Sequence, residues 1–220
     1  MNVKNVILGF VFLGLMGGLL FAITGANVGT ATQSRWNAAV TASSVTTTGG
    51  NITAVNINTS ALTSKWVSFS GNLTNTVVLG SPTSYVFAWT NTTGGEVCIT
   101  TNSSYVFSGL GNATTGGIDS AFSTTGNADD ADGTFTTSCS TMSVGGNTLT
   151  GFIAAQTQGS SSFKTCAANS TGAAAVNHVF CTNVNDTGTN YAGGTVDYEL
   201  IAPYNPTSSS VAYYFYAELS

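Results

Sequence analysis

Apolar and polar positions alternate with a period of two along most of the chain from residue 49 onward. In "KWVSFSGN" (65–72), Val67 and Phe69 alternate with Ser68 and Ser70. "NTVVLG" (75–80) and "SYVFAWTN" (84–91) come after it, the second placing Tyr85, Phe87 and Trp89 on one face. "EVCITT" (96–101) sets Val97 and Ile99 against Cys98 and Thr100, and "SYVFSGL" (104–110) comes next. Further runs cover 134–144, 147–157, 174–184, 194–203 and 210–219. Such alternation, rich in β-branched and aromatic residues, predicts strands. The last run, "SVAYYFYAELS", places Val211, Tyr213, Phe215, Ala217 and Leu219 on one face and Tyr214, Tyr216 and Glu218 on the other. It reads as a central strand buried on both faces, with a strand completed by a neighbouring subunit as the rival. "TTGG" at 47–50, 92–95 and 114–117 supplies the positive φ of tight turns. No long amphipathic helical pattern occurs beyond residue 40. Many short strands with frequent turns predict an all-β fold, an Ig-like antiparallel β-sandwich.

The N-terminus breaks this pattern. Residues 6–23 are apolar or glycine, preceded by Lys4. Three readings compete: a cleaved secretory signal, a retained anchor slightly short of a full span, and a pilin-type helix packed in a filament core. Gly14 and Gly18 would let two such helices approach closely. Against the pilin-type helix, no glycine or alanine precedes an obvious processing site and no glutamate starts the apolar run. All three readings send the rest of the chain outside the cytoplasm, and membrane contact would run through residues 6–23. The resulting division is a signal or anchor segment at 1–26, a linker or donated strand at 27–48, and a β-sandwich domain at 49–220.

Charge sharpens this picture. Only 6% of the 220 residues are charged, where roughly 25% is usual. The cations are Lys4, Arg35, Lys65 and Lys164, and the net charge is −5. Such a chain cannot neutralise a run of phosphates, which excludes nucleic acid as a partner. With 42% hydrophobic and 10% aromatic residues it can fill a core, unlike a disordered chain. Its surface must be Ser, Thr, Asn and Gly. Either another group keeps the molecules apart, or they are built to associate.

Four cysteines, Cys98, Cys139, Cys166 and Cys181, lie beyond the export-like segment and predict two disulfides. The shortest loops select Cys166 with Cys181 and Cys98 with Cys139. Zinc is disfavoured by the lack of CxxC and by a single histidine. Eight Asn-x-Ser/Thr sequons lie beyond the apolar segment: Asn51, Asn58, Asn72, Asn91, Asn102, Asn112, Asn169 and Asn185. Ser and Thr are so frequent that the number of motifs carries little weight. Their position after an export segment, mostly in turns and strand ends, points to N-glycans. Glycans would hydrate an uncharged surface.

No catalytic constellation emerges. His178 stands alone between apolar residues and reads as a structural side chain. Asp197 and Glu199 have strand spacing, as a glycosidase pair would, but read more simply as solvated acids on an outward face. "NADDADG" (127–133) offers Asp129, Asp130 and Asp132 as calcium ligands, with Asn127 upstream. It lacks the D-x-D-x-D-G order, and Cys139 stands where the closing glutamate would be. An exposed acidic turn is the competing reading. No other cofactor is indicated.

"GGNITAVNINTS", "SKWVSFSGNLT", "GGEVCITTNSSYVFSGL" and the closing "YELIAPYNP…YYFYAELS" together resemble archaeal secreted surface glycoproteins. In composition the chain is similar to thread-like archaeal pilins, which are β-rich filament subunits. The resemblance spans roughly residues 49–220. It implies an extracellular Ig-like β domain, N-glycans and a homopolymer built from donated N-terminal strands, for which 27–48 is the candidate segment. It supplies no catalytic residues. The expected function is a non-catalytic subunit of an extracellular filament or surface coat. The alternatives are a carbohydrate-binding or adhesive module, using Trp66, Tyr85 and Trp89 if those side chains are exposed rather than in the core, and a membrane-anchored spike or coat glycoprotein.

Overall fold

The computed structural model describes residues 23–34, 43–57, 62–74, 77–81, 83–89, 94–126, 128–157, 163–170 and 174–219. The apolar segment expected to be a signal, anchor or helix lies outside these residues up to position 22, as do Asn58, Asn91 and Asn127. Among the described residues no helix is long and apolar enough to cross a membrane.

The fold is mostly β, and every strand pairing is antiparallel. In chain order the strands are β1 (Thr24–Gly25), β2 (Trp66–Gly71), β3 (Val77–Ser81), β4 (Ser84–Trp89), β5 (Gly95–Thr100), β6 (Gly111–Asn112) and β7 (Thr137–Ser138). They continue as β8 (Met142–Val144), β9 (Asn147–Leu149), β10 (Ile153–Gln156), β11 (Lys164–Asn169), β12 (His178–Asn183), β13 (Tyr198–Pro203) and β14 (Tyr214–Leu219). Two short helices, α1 (Thr115–Phe122) and α2 (Ala131–Thr134), lie between β6 and β7.

An eight-stranded sheet runs β1-β14-β5-β12-β11-β10-β7, with β6 also on β11. Period-two alternation gives it two apolar faces. One carries Cys98, Cys166, Cys181, Val179 and Tyr216, covered by Tyr105, Phe107 and the β8–β9 hairpin through Met142, Val144 and Leu149. The other carries Val97, Ile99, Ala167 and Phe180. Leu200 and Ala202 of β13, Phe69 of β2, and Ile118 and Phe122 of α1 pack on it. The β2–β13 pair is a second layer, tied to the sheet where Ile201 N donates to Thr165 Oγ1 at 2.9 Å. Each large side chain so buried stabilises the fold by about 1.5–3 kcal/mol.

Three elements differ from the sequence expectation. The "TTGG" at 114–117 opens a helix rather than a turn. Thr114 caps it by accepting from Gly117 N at 3.1 Å. A Cβ at Gly117 would meet Thr114 Oγ1 at 2.9 Å, so a side chain there would oblige the capping hydroxyl to shift. Eight residues with two glycines fall below any helical signal; the helix persists because Ile118 and Phe122, one turn apart, are buried. The β11 run "KTCAAN" is buried on both faces and shows no alternation to detect. Residues 104–110 form no strand, although Tyr105 and Phe107 are buried and Val106 is exposed. Tyr105 N donates to the Tyr216 hydroxyl at 3.2 Å instead of to a ladder.

Both disulfides form, but not in the expected Cys166–Cys181 and Cys98–Cys139 pairing. Cys98 bonds Cys181 across 83 residues and Cys139 bonds Cys166 across 27. Register leaves Cys181 two neighbours, and the approach of Cys139 to Cys166, with Cα atoms 5.5 Å apart, goes with the pairing of Cys181 to Cys98. β12 lies between β5 and β11, so Cys181 faces Cys98 on one side and Cys166 on the other. Cys98 and Cys181 have Cα atoms 4.1 Å apart, while Cys139, just past β7, reaches Cys166 from the sheet's far edge.

Replacing both Cys98 and Cys181 with alanine is expected to lower the unfolding free energy by about 4–5 kcal/mol, the loop-closure value for this separation. The corresponding loss for Cys139 and Cys166 is about 3–4 kcal/mol. Urea unfolding measures both, and non-reducing peptide mapping must link 98 to 181.

Candidate assembly edge

β14 is held along its whole length by β5, from Tyr214↔Thr100 to Leu219↔Gly95. Among the described residues its other edge carries only β1, in register at Thr24↔Ala217 and Gly25↔Tyr216. Ala26 N adds one bond to Phe215 O at 2.8 Å. Just before β1, Ile23 packs on the disulfide-bearing core. The floor of its seat is Gly145, at φ +56°, where a Cβ would lie 2.5 Å from Phe107 Cβ and 3.3 Å from Ile23 Cγ2. The N-terminal strand is therefore seated by a two-residue ladder and one apolar knob.

The chain beyond β1 leaves both faces of the sheet. Residues 27–34 and 43–57 are exposed throughout and pair with no strand among the described residues. Val45, Ile52, Val55 and Ile57 point into solvent on either side of the turn closed by Asn51 N to Thr48 O at 3.2 Å. These are strand-forming residues without a sheet.

Two carboxylates hold the hairpin that roofs the disulfides. Glu96 and Glu218 face each other across β5 and β14. Glu96 Oε1 accepts from Ser143 N at 3.0 Å, and Glu218 Oε2 accepts from Gly145 N at 2.6 Å. Burial pushes the Glu96 carboxyl above its ordinary pKa, and the Glu218 charge adds to the shift. The two described basic side chains are committed elsewhere. Lys65 Nζ lies 3.0 Å from Asp129 and donates to Thr124 O, and Lys164 Nζ donates to Ser138 O.

The acidic turn uses its side chains separately. Asp129 takes Lys65 on one oxygen and the Thr63 hydroxyl, at 2.6 Å, on the other. The Thr63 bond, then the Lys65 bond, holds its pKa below the usual carboxylate range. Asp130 caps α2 by accepting from Gly133 N at 2.8 Å, and Asp132 is exposed. Among the described residues no group of three or more His, Cys, Asp or Glu is placed to hold a metal ion.

The Asp197–Glu199 pair differs from the solvated acids expected. Glu199 is buried and accepts from Tyr191 N at 2.9 Å. Asp197 is half-buried and accepts from Leu73 N at 2.6 Å. Both carboxylates fix loops, a role that spacing alone does not reveal. His178 is buried against Phe122 and Phe180, with Nδ1 donating to Ala174 O at 3.1 Å and no hydrogen-bond partner for Nε2 among the described residues. Burial lowers its pKa.

The three aromatic candidates part company. Trp66 is half-buried, edge-on to Phe135, and its indole N–H donates to Asp129 O. Tyr85 and Trp89 are exposed on the β3–β4 hairpin, where the core reading expected them inside. Among the described sequons, Asn51, Asn72 and Asn112 are exposed, whereas Asn102, Asn169 and Asn185 are half-buried. Sequence reasoning missed the Glu96–Glu218 pair; the signal was two acids on adjacent strands in a chain nearly devoid of charge. Searches of family models, curated proteins and solved structures found no match.

These groups make stability depend on pH in opposite directions. Glu96 binds its proton more tightly when folded, so its contribution is fully present below pH 4.5 and is lost as pH rises through the raised folded pKa. His178 contributes above pH 6.5, and that contribution is lost as pH falls through its lowered folded pKa. Glu96→Gln is expected to be more stable than the natural chain at about pH 8 and equal to it below pH 4.5, read by denaturant midpoints across that range. A gain that persists unchanged at acid pH contradicts the assignment.

Proposed function

We propose that the protein is a structural subunit of an extracellular filament or surface coat, assembling with copies of itself. The observation that carries this reading is the β14 edge, occupied among the described residues by a strand of two residues and one knob. An edge filled so briefly by the chain's own N-terminus can exchange that strand for the same strand of a neighbour. Main-chain hydrogen bonds supply affinity and the Ile23 seat supplies register. The exposed β-branched segment 43–57 provides further strand-forming length in the same N-terminal arm.

The fold class in this reading is an Ig-like sandwich, with β2–β13 as the layer facing the large sheet. Two disulfides fit an oxidising compartment, and the location taken here is the cell exterior. A surface so poor in charge is hydrated by glycans at the exposed sequons. The apolar residues 6–23 direct export and membrane contact, and the reading requires that any cleavage fall before Ile23, which seats the exchanged strand.

Electron microscopy of secreted material is the test. The natural chain is expected to form threads, and Ile23→Asp to abolish them while leaving a folded, disulfide-bonded monomer. A natural chain that stays monomeric and binds a polysaccharide overturns the reading. Glycan occupancy is expected to be higher at exposed Asn51 and Asn72 than at Asn169, which lies inside the sheet between His178 and Gly111. Peptide mass mapping before and after deglycosylation measures the order.

A further inference from the structure

Three cysteines stand in one row across the middle of the large sheet. Cys98 on β5, Cys181 on β12 and Cys166 on β11 are in register, and all three face the same side. Cys181 therefore has a sulfur neighbour on each flank, although it bonds only Cys98. The 4.1 Å between the Cα atoms of Cys98 and Cys181 marks a cross-strand pair without main-chain hydrogen bonds between its members. The main-chain groups of Cys181 then point to β11. Cys166 and Cys181 are thus the hydrogen-bonded kind of pair, with Cα atoms about 5.5 Å apart. A disulfide spans that separation.

The four sulfurs differ in access. Cys139 is 8% exposed, while Cys98, Cys166 and Cys181 are at 0% beneath Tyr105, Phe107 and the β8–β9 hairpin. Cys139 reaches Cys166 from beyond β7, and Ala154, in register with Cys166 on the intervening β10, puts only a methyl group in its way. Lys164, one of four cations in the chain, donates to Ser138 O at 3.2 Å, next to Cys139. A cation there attracts an incoming thiolate and favours the thiolate that leaves.

We propose that Cys139 is a site of mixed-disulfide formation with a low-molecular-weight thiol, and that the cysteine row carries the exchange inward to Cys98. The entering thiolate bonds Cys139 Sγ and breaks the bond to Cys166, which leaves as a thiolate. A turn about χ1 swings Cys166 Sγ from the β10 side to the β12 side. There it attacks Cys181 Sγ, forming the 166–181 bond and releasing Cys98. Displacement at sulfur runs in line, and the row supplies that line, with the nucleophile on β11, the centre on β12 and the leaving group on β5. The proton of the entering thiol ends on Cys98. Two disulfide bonds and one thiol stand before and after the exchange, so no oxidant or reductant is consumed. The second step decides the fate of the adduct. Cys166 left as a thiol beside Cys139 expels the entering thiol and restores the native bond. Once bonded to Cys181 it no longer does so, and the adduct persists.

This site goes beyond the filament reading and does not rest on it. The test adds glutathione to the folded full chain, then acid, then denaturant with N-ethylmaleimide, and maps the peptides. Glutathione is expected on Cys139, with the 166–181 link and N-ethylmaleimide on Cys98 in about a tenth or more of the adducted chains. Cys139→Ser frees Cys166 without added thiol, and is expected to show the 166–181 link beside the 98–181 link. Cys166→Ser removes the relay, and release of Cys98 by glutathione is expected to be at least tenfold slower than in the natural chain. Absence of the adduct, or adducted chains carrying only the 98–181 link with N-ethylmaleimide on Cys166, overturns the inference. So does release of Cys98 at an equal rate in Cys166→Ser. The map of the natural chain decides the matter where a variant fails to fold.

Discussion

β12 lies between β5 and β11 with Cys181 in register with a cysteine on each side, and both cores are built on that three-strand centre. Alternation at this centre sends Cys98, Cys166 and Cys181 to one face and Val97, Ile99, Ala167 and Phe180 to the other. The register is therefore doubly specified. A one-residue slip would bury the wrong side chains on both faces and separate the sulfurs. The disulfides lock what the packing has already chosen.

The same centre explains how a chain so poor in charge manages its few acids. Glu96 and Glu218 stand side by side because β5 and β14 are paired, and the β8–β9 hairpin comes down on them with two backbone N–H groups. Those bonds seat Met142, Val144 and Leu149 over the cysteines. The same hairpin presents Gly145 to Ile23. Disulfide core, carboxylate pair and N-terminal strand thus form one mechanical unit.

The remaining surface divides into two kinds of strand edge. The β14 edge is partly filled by the chain itself, whereas the β4 edge has no strand beside it among the described residues. Neither edge carries a lysine; β14 has one acid, Glu218, and β4 has a bulge opposite Leu79 and Gly80. Low charge works against solubility, and it is a property that the proposed self-assembly would use.

By itself the sequence determined the strand-rich class, the two faces of β5 and β14, and the presence of two disulfides. Each comes from local periodicity or composition, which neighbours in the chain already contain. Tertiary structure alone decided which cysteines meet, because pairing obeys sheet order and not loop length. It also decided that Glu199 is buried, that Tyr85 and Trp89 are not, and that "TTGG" at 114–117 starts a helix. Alternation states that a side chain shares a face with its neighbours two places away. Whether another layer covers that face depends on distant segments, such as β13 over Phe180 and nothing over Phe87 among the described residues.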